Sequence, residues 1–361
     1  MEPIVDIFTL KVVYKIQYAL WLGSSSFPQI RSESYHKMEE NMYKAMFKVI
    51  VCSLVVFSLM TPTWAAEKYP DRPIDFICTW GVGGGADQMA RTIGRLAEKN
   101  LGVAMPISNI PGASGNSGMA SLLGAKTDGY TIATYIADTL GTIPSGTARH
   151  KITDFEWLVR TQVAQSYLFV KYDSPFKTIQ DLLKYAKENP GKLKVAATGF
   201  GTVDDITVRY LTSKGYPMTT IPLAQPGERY ANAIGGHSEV LYEQAGDIKQ
   251  YLEAKQLRPL IIFATKRLAA FPDLPCSKEL GLDITLPQFR SIVAKKGVPA
   301  DRVRILVDAF KKAMDTPDWK KFAAEQYLDP ESYMGPEEFE PWVAGEVETM
   351  RQFMKTYGMA K

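Results

Sequence analysis

An apolar strand pattern runs directly into a glycine-rich turn near residue 80. Residues 74–87 have the sequence IDFICTWGVGGGAD, and residues 86–100 continue with apolar side chains at helical spacing. A strand, a glycine turn and an amphipathic helix in direct succession predict an α/β unit. The turn exposes backbone N–H groups, and the helix start adds unpaired N–H groups and partial positive charge. The segment therefore predicts an anion-binding turn.

The same alternation of strand and helix patterns continues along the chain. Amphipathic helices are predicted to begin near residues 86, 178, 299, 316 and 336. The predicted strands are 74–80, 105–108, 131–135, 167–170, 194–197, 219–221, 239–242, 260–263 and 291–294. Such alternation predicts α/β layers with a mostly parallel sheet. A chain of 361 residues is long enough for two domains of ordinary size.

Residues 42–65 have the layout of a secretory signal peptide. Lys44 and Lys48 precede an apolar stretch over residues 49–60, and residues 63–65 supply small side chains at the cleavage positions. The apolar stretch is shorter than the ~20 residues that span a bilayer. A permanent membrane anchor is therefore the less favoured alternative.

Export has consequences for the start of the chain and for its cysteines. Residues before Met38 or Met42 have no place in a signal peptide, so we expect translation to start at one of these methionines. The processed chain is expected to begin near Ala66 and to reside in the periplasm. An exported protein can form disulfides, but Cys78 lies in an apolar strand pattern and Cys276 in a Pro-flanked loop. Two free thiols are the favoured interpretation.

Charge and residue spacing exclude several classes of function. The chain has 42 Lys and Arg against 39 Asp and Glu, a net charge of +3. This balance argues against a nucleic-acid-binding protein, which would carry a basic stripe. His150 and His237 have no Cys, Asp or Glu neighbour at metal-ligand spacing, so no metal site is predicted. The chain also lacks a Gly-x-Ser-x-Gly elbow, and no catalytic residue or cofactor is predicted.

Two further glycine turns precede predicted helices. Residues 109–115 have the sequence NIPGASG, and residues 198–204 have the sequence TGFGTVD. Thr202 is a natural helix N-cap, and Gly199 and Gly201 leave the backbone approachable. Ordinary turn geometry accounts for any one of these turns. Anion-binding turns in separate halves of the chain predict a ligand with two acidic ends, held between two domains.

Residues 81–86 also fit the G-x-G-x-x-[GA] dinucleotide fingerprint, which is a weak signal alone. A Rossmann unit needs an acidic residue about 20 positions further on, at the end of the second strand. Here the second strand ends at Ser108 and Asn109. Dinucleotide binding is therefore disfavoured.

Three stretches carry distinctive glycine-containing motifs: WGVGGGADQMAR at 80–91, NIPGASGN at 109–116 and TDGYT at 127–131. They resemble the periplasmic solute receptors of tripartite tricarboxylate transporters, often called Bug receptors. Further colinear matches, such as DSPFKT at 173–178, extend the resemblance from about residue 69 to the C-terminus. Each motif is modest alone, but their order and spacing make the resemblance specific.

The resemblance implies a type II-like periplasmic-binding-protein fold. Two α/β domains, each a mixed sheet flanked by helices, would enclose a ligand cleft. Residues 1–65 would form an upstream segment with the signal peptide. Domain 1 would comprise residues 66–168 and residues 287–361 with the C-terminal helices, and domain 2 residues 169–286.

The implied function is that of an extracytoplasmic receptor. It would capture a di- or tricarboxylate, or a related organic acid, by hinge closure. It would then deliver this ligand to the membrane subunits of a tripartite tricarboxylate transporter. The receptor would act as a monomer and without a cofactor. Two alternatives stay open: a ligand-loaded sensor partner of a membrane histidine kinase, and an exported enzyme acting on small acids.

The resemblance places the ligand between residues 80–87 and residues 198–205. In the family, backbone N–H groups of the first segment hold one carboxylate, and the second segment takes the other end of the ligand. The candidate ligand-binding residues are Trp80, Gly83, Gly84, Gly85, Asp87, Asp138, Thr198, Gly199, Gly201, Thr202, Asp205, Glu243 and Arg290.

Several of these residues depart from the family pattern. Trp80 replaces a phenylalanine, and it either closes over a larger ligand or packs within its domain. Asp205 stands where histidine is frequent; it would repel an anionic ligand unless it meets an ammonium, and helix capping is its expected role. Arg290 replaces an aromatic residue and is either a clamp on a ligand carboxylate or part of a surface salt bridge. Glu243 stands where a smaller residue or aspartate is frequent, and the segment 224–226 lacks the lysine of the family pattern.

Overall fold

A computed structural model describes residues 31–59 and 68–358, which belong to two separate compact units. The first unit contributes helix α1 (Arg31–Leu59), whose side chains from 40 to 51 are all exposed. The predicted cleavage positions at 63–65 lie outside the described residues. Within the two described ranges, no helix has both the length and the hydropathy that crossing a membrane requires.

The larger unit contains two five-stranded mixed sheets flanked by helices. The first sheet has the order β2-β1-β3-β10-β4 and the second β7-β6-β8-β5-β9. We call each sheet with its adjoining helices a lobe. The strands are β1 (Asp75–Cys78), β2 (Ile107–Asn109), β3 (Thr131–Ile136), β4 (Phe155–Ala164), β5 (Ser166–Lys171), β6 (Lys194–Ala197), β7 (Thr219–Pro222), β8 (Val240–Gln244), β9 (Leu257–Ile262) and β10 (Gln288–Lys295).

Ten helices of this unit flank the sheets, most of them between successive strands. They are α2 (Gly85–Leu101), α3 (Asn116–Gly124), α4 (Ala137–Gly141), α5 (Ile179–Glu188), α6 (Val203–Ser213), α7 (Pro226–Ile234), α8 (Lys249–Glu253), α9 (Ala300–Met314), α10 (Pro317–Glu325) and α11 (Pro336–Thr356). Short 3₁₀ turns occupy Ala113–Gly115, Ile152–Asp154 and Ser277–Leu280.

Each sheet contains one strand that runs against the other four. Strand β10 is antiparallel to both β3 and β4, and β5 is antiparallel to both β8 and β9. Each of these two strands is the first to follow the chain's passage from the other lobe. Strand β5 follows β4 after a single residue, Gln165. The sheets are therefore mixed, as expected, and the two lobes share one strand arrangement.

The local sequence accounts for the helices that were predicted. Helix α2 buries Met89, Ile93, Leu96 and Ala97 on one face and ends at Gly102, which has a left-handed φ of 73°. The start of α5 is fixed by a capping box in which Thr178 and Asp181 exchange hydrogen bonds.

The nine predicted strands all overlap observed strands, but β4 was not predicted. Its residues are buried over nearly their whole length, including Arg160, Thr161 and Gln162. A strand that is buried on both faces does not show the polar–apolar alternation by which half-buried strands are recognised.

The topology brings two sets of segments to facing sheet edges. In the first lobe the carboxyl ends of β1 and β3 lead into residues 80–87 and helix α4. In the second lobe the ends of β6 and β8 lead into residues 198–205 and 245–247. Ligands of open α/β sheets bind beyond the carboxyl ends of the strands. The candidate site is therefore expected where these segments meet.

Candidate functional site between the two sheets

The two glycine turns are built in the same way in both lobes. The N–H of Gly83 donates to Oδ2 of Asp87, and the N–H of Gly201 donates to Oδ2 of Asp205, each at 3.0 Å. Both glycines have left-handed φ angles, 83° and 75°. Such angles are unfavourable for other residues. In each lobe, a carboxylate in the first turn of the helix therefore fixes the preceding turn.

Both aspartates are also held from their own lobe. Asp87 accepts hydrogen bonds from Arg91 Nε at 3.0 Å and Asn109 Nδ2 at 2.9 Å. Burial alone would raise the pKa of Asp87, but these bonds hold it below the usual value.

Asp205 is bound in the corresponding way by Arg209 Nε at 2.9 Å and Thr220 Oγ1 at 3.0 Å. Its carboxylate braces the turn and the helix start, which is the capping role expected for Asp205.

The second turn is braced by a further set of hydrogen bonds. Thr202 is the N-cap of α6, and its hydroxyl donates to the carbonyl of Gly199 at 2.8 Å. Thr198 donates its N–H and its hydroxyl to Oδ2 of Asp204, at 2.7 and 2.8 Å. Burial raises the pKa of Asp204 well above its usual value.

The first turn packs directly against the second lobe. A Cβ at Gly84 would lie 2.7 Å from Cγ of Pro226 in α7. A Cβ at Gly85 would lie 2.2 Å from both Arg290 Nη2 and Asp247 Oδ1. At these two positions glycine is therefore required by the close approach of the second lobe and of Arg290, and not by a left-handed φ.

Trp80 is packed in the core of the first lobe and is 6% exposed. Its indole Nε1 is buried and has no hydrogen-bond partner in the structure. Because indole nitrogen is a donor only, Trp80 offers an unused N–H beside the first turn.

Arg290 lies between the lobes and is only 3% exposed, which excludes the surface salt bridge. Its Nη1 donates to Oε1 of Gln162 at 2.9 Å, and its Nη2 donates to Oε1 of Gln244 at 2.9 Å. Nη2 also forms an ion pair with Oδ2 of Asp247. Gln162 belongs to the first sheet, whereas Gln244 and Asp247 belong to the second lobe. The guanidinium thus joins the two sheets.

Glu243 forms a second buried ion pair within the second lobe. Arg229 Nη2 donates to its Oε2 at 2.7 Å, and both side chains are about 4–5% exposed. Arg229 also donates to the carbonyl of Leu223 at 2.9 Å. Residues 224–226 lack the lysine of the family pattern, and Arg229 supplies a cation close to that segment.

Asp138 lies in the first turn of α4 and contacts the second lobe. Its Oδ1 accepts from the N–H of Val203 at 3.0 Å, and its Oδ2 accepts from Gln288 Nε2 at 2.7 Å. Burial raises the pKa of Asp138 to about 6 despite these hydrogen bonds.

The structure thus brings most of the candidate residues to one interface and adds others that sequence reasoning missed. Seven of the candidates lie at or beside this interface: Trp80, Gly84, Gly85, Asp138, Gly201, Glu243 and Arg290. Three others brace the turns, namely Asp87, Thr198 and Asp205. Five residues of the site are not predicted from the sequence: Gln162, Arg229, Gln244, Asp247 and Gln288. None belongs to a motif, because their roles depend on how the two sheets meet. Cys78 and Cys276 are buried free thiols.

Comparison with known proteins agrees with this architecture. Residues 89–359 match the profile of the tripartite tricarboxylate transporter family receptor. A UPF0065 protein encoded in the gbd 5′ region of Cupriavidus necator is 32% identical over 299 residues, covering 82% of this chain and 90% of that protein.

Solved structures show the same fold. The periplasmic binding protein BugD has a TM-score of 0.76 at 23% identity, covering 81% of this chain and 100% of that one. MatC from Rhodopseudomonas palustris, solved with bound malate, has a TM-score of 0.73 at 23% identity, covering 79% and 99%. The predicted periplasmic-binding-protein fold and the family resemblance are both confirmed. The chain belongs to the receptor family of the tripartite tricarboxylate transporters.

Proposed function

We propose that this protein is an exported receptor that binds a small carboxylate between its two lobes and delivers it to a tripartite tricarboxylate-type transporter in the membrane. The observation that carries the proposal is the buried guanidinium of Arg290, which lies against the first glycine turn and between the two sheets. A buried guanidinium with an unused donor suits a carboxylate, which it can bind through two N–H groups.

Other donors at the interface support the same class of ligand. Nε of Arg290 and Nε1 of Trp80 are buried without hydrogen-bond partners. The N-terminus of α2, which has no side-chain cap, adds a positive dipole end. Each helix end should stabilise a carboxylate by ~0.3–1 kcal/mol, and by up to ~2 kcal/mol when partly buried. MatC, which shares this fold, was solved with malate.

The mechanism follows from the division of contacts between the lobes. We propose domain 1 as residues 66–168 with 287–361, and domain 2 as residues 169–286. The two passages between the sheets, at Gln165 and over residues 263–287, would act as the hinge. A ligand that touches both lobes favours the closed form, because only that form provides all of its contacts. Residues 42–65 would direct export to the periplasm.

Binding is tested by thermal shift with the purified protein, freed of bound solute by unfolding and refolding. The panel contains di- and tricarboxylates, acidic amino acids and aromatic acids. A ligand at 100 times its dissociation constant stabilises the folded state by ~2.7 kcal/mol. A stabilising acid establishes the receptor class, whereas no response across the panel contradicts it.

Delivery is tested separately, by uptake of the radiolabelled acid into cells that carry or lack the gene. Equal uptake, despite binding in vitro, favours the sensor alternative over transport.

A further inference from the structure

The interface between the lobes buries more acidic than basic side chains. Six ionisable side chains there influence one another electrostatically, and we call them the interlobe charge cluster: Asp138, Asp204, Arg229, Glu243, Asp247 and Arg290. Four are acids and two are arginines. Asp87 and Asp205 stand apart from this cluster, because each pairs with a half-exposed arginine of its own helix. A buried charge is costly unless it is paired.

Two of the acids are buried without a cation of their own. The two oxygens of Asp138 accept from uncharged donors, Val203 N and Gln288 Nε2. Oδ2 of Asp204 accepts from the N–H and the hydroxyl of Thr198. An anionic ligand group brought into this interface would meet carboxyl groups that have no cation, whereas a cationic ligand group could pair with one of them.

The Arg290–Asp247 pair has unused hydrogen-bonding capacity on both partners. Nε of Arg290 and Oδ1 of Asp247 are buried, and neither has a hydrogen-bond partner. Both side chains are more than nine-tenths buried. The unused Oδ1 and the guanidinium Nη2 converge on Gly85, where a Cβ would lie 2.2 Å from each. The pair therefore meets the backbone at the start of α2.

An ion pair split between two lobes can exchange partners with a zwitterion. A ligand carboxylate would take the place of Asp247 on the guanidinium of Arg290. A ligand ammonium would take the place of Arg290 on the carboxylate of Asp247. The exchange leaves both Arg290 and Asp247 with a partner of opposite charge. A ligand that carries only carboxylates would instead leave Asp247 without a cation, next to a second anion.

We propose that Arg290 and Asp247 form a recognition pair for the carboxylate and the ammonium of one ligand, so that the receptor selects amino acids over the corresponding acids without an amino group. Arg290 binds the ligand carboxylate, and Asp247 binds the ligand ammonium. The rest of the ligand sets which amino acid is bound. This inference rests on the proposed carboxylate-receptor function and specifies its substrate class.

The test uses pairs of ligands that differ only in the ammonium group. Calorimetry compares L-aspartate with succinate, L-glutamate with glutarate, L-leucine with 4-methylpentanoate and L-phenylalanine with 3-phenylpropanoate. The wild-type protein should bind the amino acid at least tenfold more tightly in the pair that fits the cleft. Equal or tighter binding of the deaminated partner overturns the proposal. This comparison needs no variant and is independent of any folding defect.

Asp247→Asn provides the second arm. It should weaken binding of the amino acid at least tenfold while leaving binding of the deaminated acid unchanged or tighter. Tighter binding of both members would mean that Asp247 only competes for Arg290, which overturns the proposal. Asp173→Asn, at an exposed carboxylate paired with Lys171, controls for loss of one negative charge. If no member of any pair binds although another acid of the thermal-shift panel does, this proposal fails and the carboxylate-receptor function stands. If no acid of either set binds the wild-type protein, the proposed function itself fails.

Discussion

The carboxylate of Asp138 in the first lobe accepts a hydrogen bond from the backbone N–H of Val203, the first residue of helix α6 in the second lobe. This contact connects an ionisable side chain of one sheet with the helix N-terminus that follows a glycine turn of the other. Gln288, at the start of β10, holds the second oxygen of the same carboxylate. The protonation state of Asp138 is therefore coupled to the contact between the lobes.

Asp138 should make the stability of the protein depend on pH. Its pKa is raised to about 6, mainly by burial. Between the ordinary pKa of 3.8 and about 6, the folded state holds a proton that the unfolded state has released. The free energy of unfolding should therefore fall as pH rises through this window, by up to about 3 kcal/mol from this group.

Asp138→Asn should remove that part of the pH dependence. The variant should resemble the wild type near pH 4 and be more stable than it at pH 7. An asparagine amide could donate to Oε1 of Gln288, which is buried without a hydrogen-bond partner. Urea denaturation of both proteins between pH 4 and pH 7.5 measures the difference. Parallel curves would contradict the prediction.

Arg290→Ala should weaken ligand binding by about 2–5 kcal/mol, because truncating one partner of a buried charge interaction leaves the other charge unpaired. Arg290→Lys keeps the positive charge but loses the planar pair of donors. It should recover only part of the affinity. Titration calorimetry with the ligand found in the panel gives both values, and an unchanged dissociation constant for Arg290→Ala would remove Arg290 from the site.

Gly85→Ala should impair binding because the new methyl group would overlap Arg290 Nη2 and Asp247 Oδ1. Overpacking of this kind destabilises a packed structure by about 1–3 kcal/mol. Here it would destabilise the contact between the two lobes. Gly124→Ala is the matched control, since no atom lies within 4 Å of a Cβ at that position. Small-angle scattering and calorimetry should show a more open protein with weaker binding for Gly85→Ala alone.

Asp205→Ala should lower stability and binding together. The substitution leaves the N–H of Gly201 and the hydroxyl of Thr220 without their acceptor. Loss of such a capping interaction should lower the free energy of unfolding by about 0.5–2 kcal/mol. Asp181→Ala removes a comparable capping interaction from α5. It should lower stability without changing ligand affinity. Loss of affinity in both variants would point to a general folding defect instead of a local role for the second glycine turn.

Much of the fold is predictable from the sequence because its signals are local. The start of α6 shows this: Gly201 supplies the turn conformation, Thr202 the cap, and an apolar stripe follows. Strand β4 shows the limit. Arg160 interrupts its apolar pattern, yet it is buried because its guanidinium donates to the carbonyls of Glu331 and Ser332. Those partners are about 170 residues further along the chain, and no local sequence pattern predicts the contact.

The candidate site was predictable only in part for the same reason. The glycine turns are predictable because close backbone approach needs glycine in the sequence itself. Asp247 is not, because it follows β8 in a turn without a recognisable motif, and its partner lies in another sheet. Arg290 departs from the family pattern, but whether it is buried or exposed depends on the packing of the two lobes.

The position of β10 sets the order in which the two sheets can be completed as the chain is synthesised. All strands of the second sheet lie within residues 166–262, so a nascent chain that extends to residue 262 already contains every one of them. In the first sheet, β10 lies between β3 and β4, which come more than 120 residues earlier. Until residue 295 leaves the ribosome, β3 and β4 lack the strand that joins them. The lobe that begins first along the chain is therefore the last whose sheet can close.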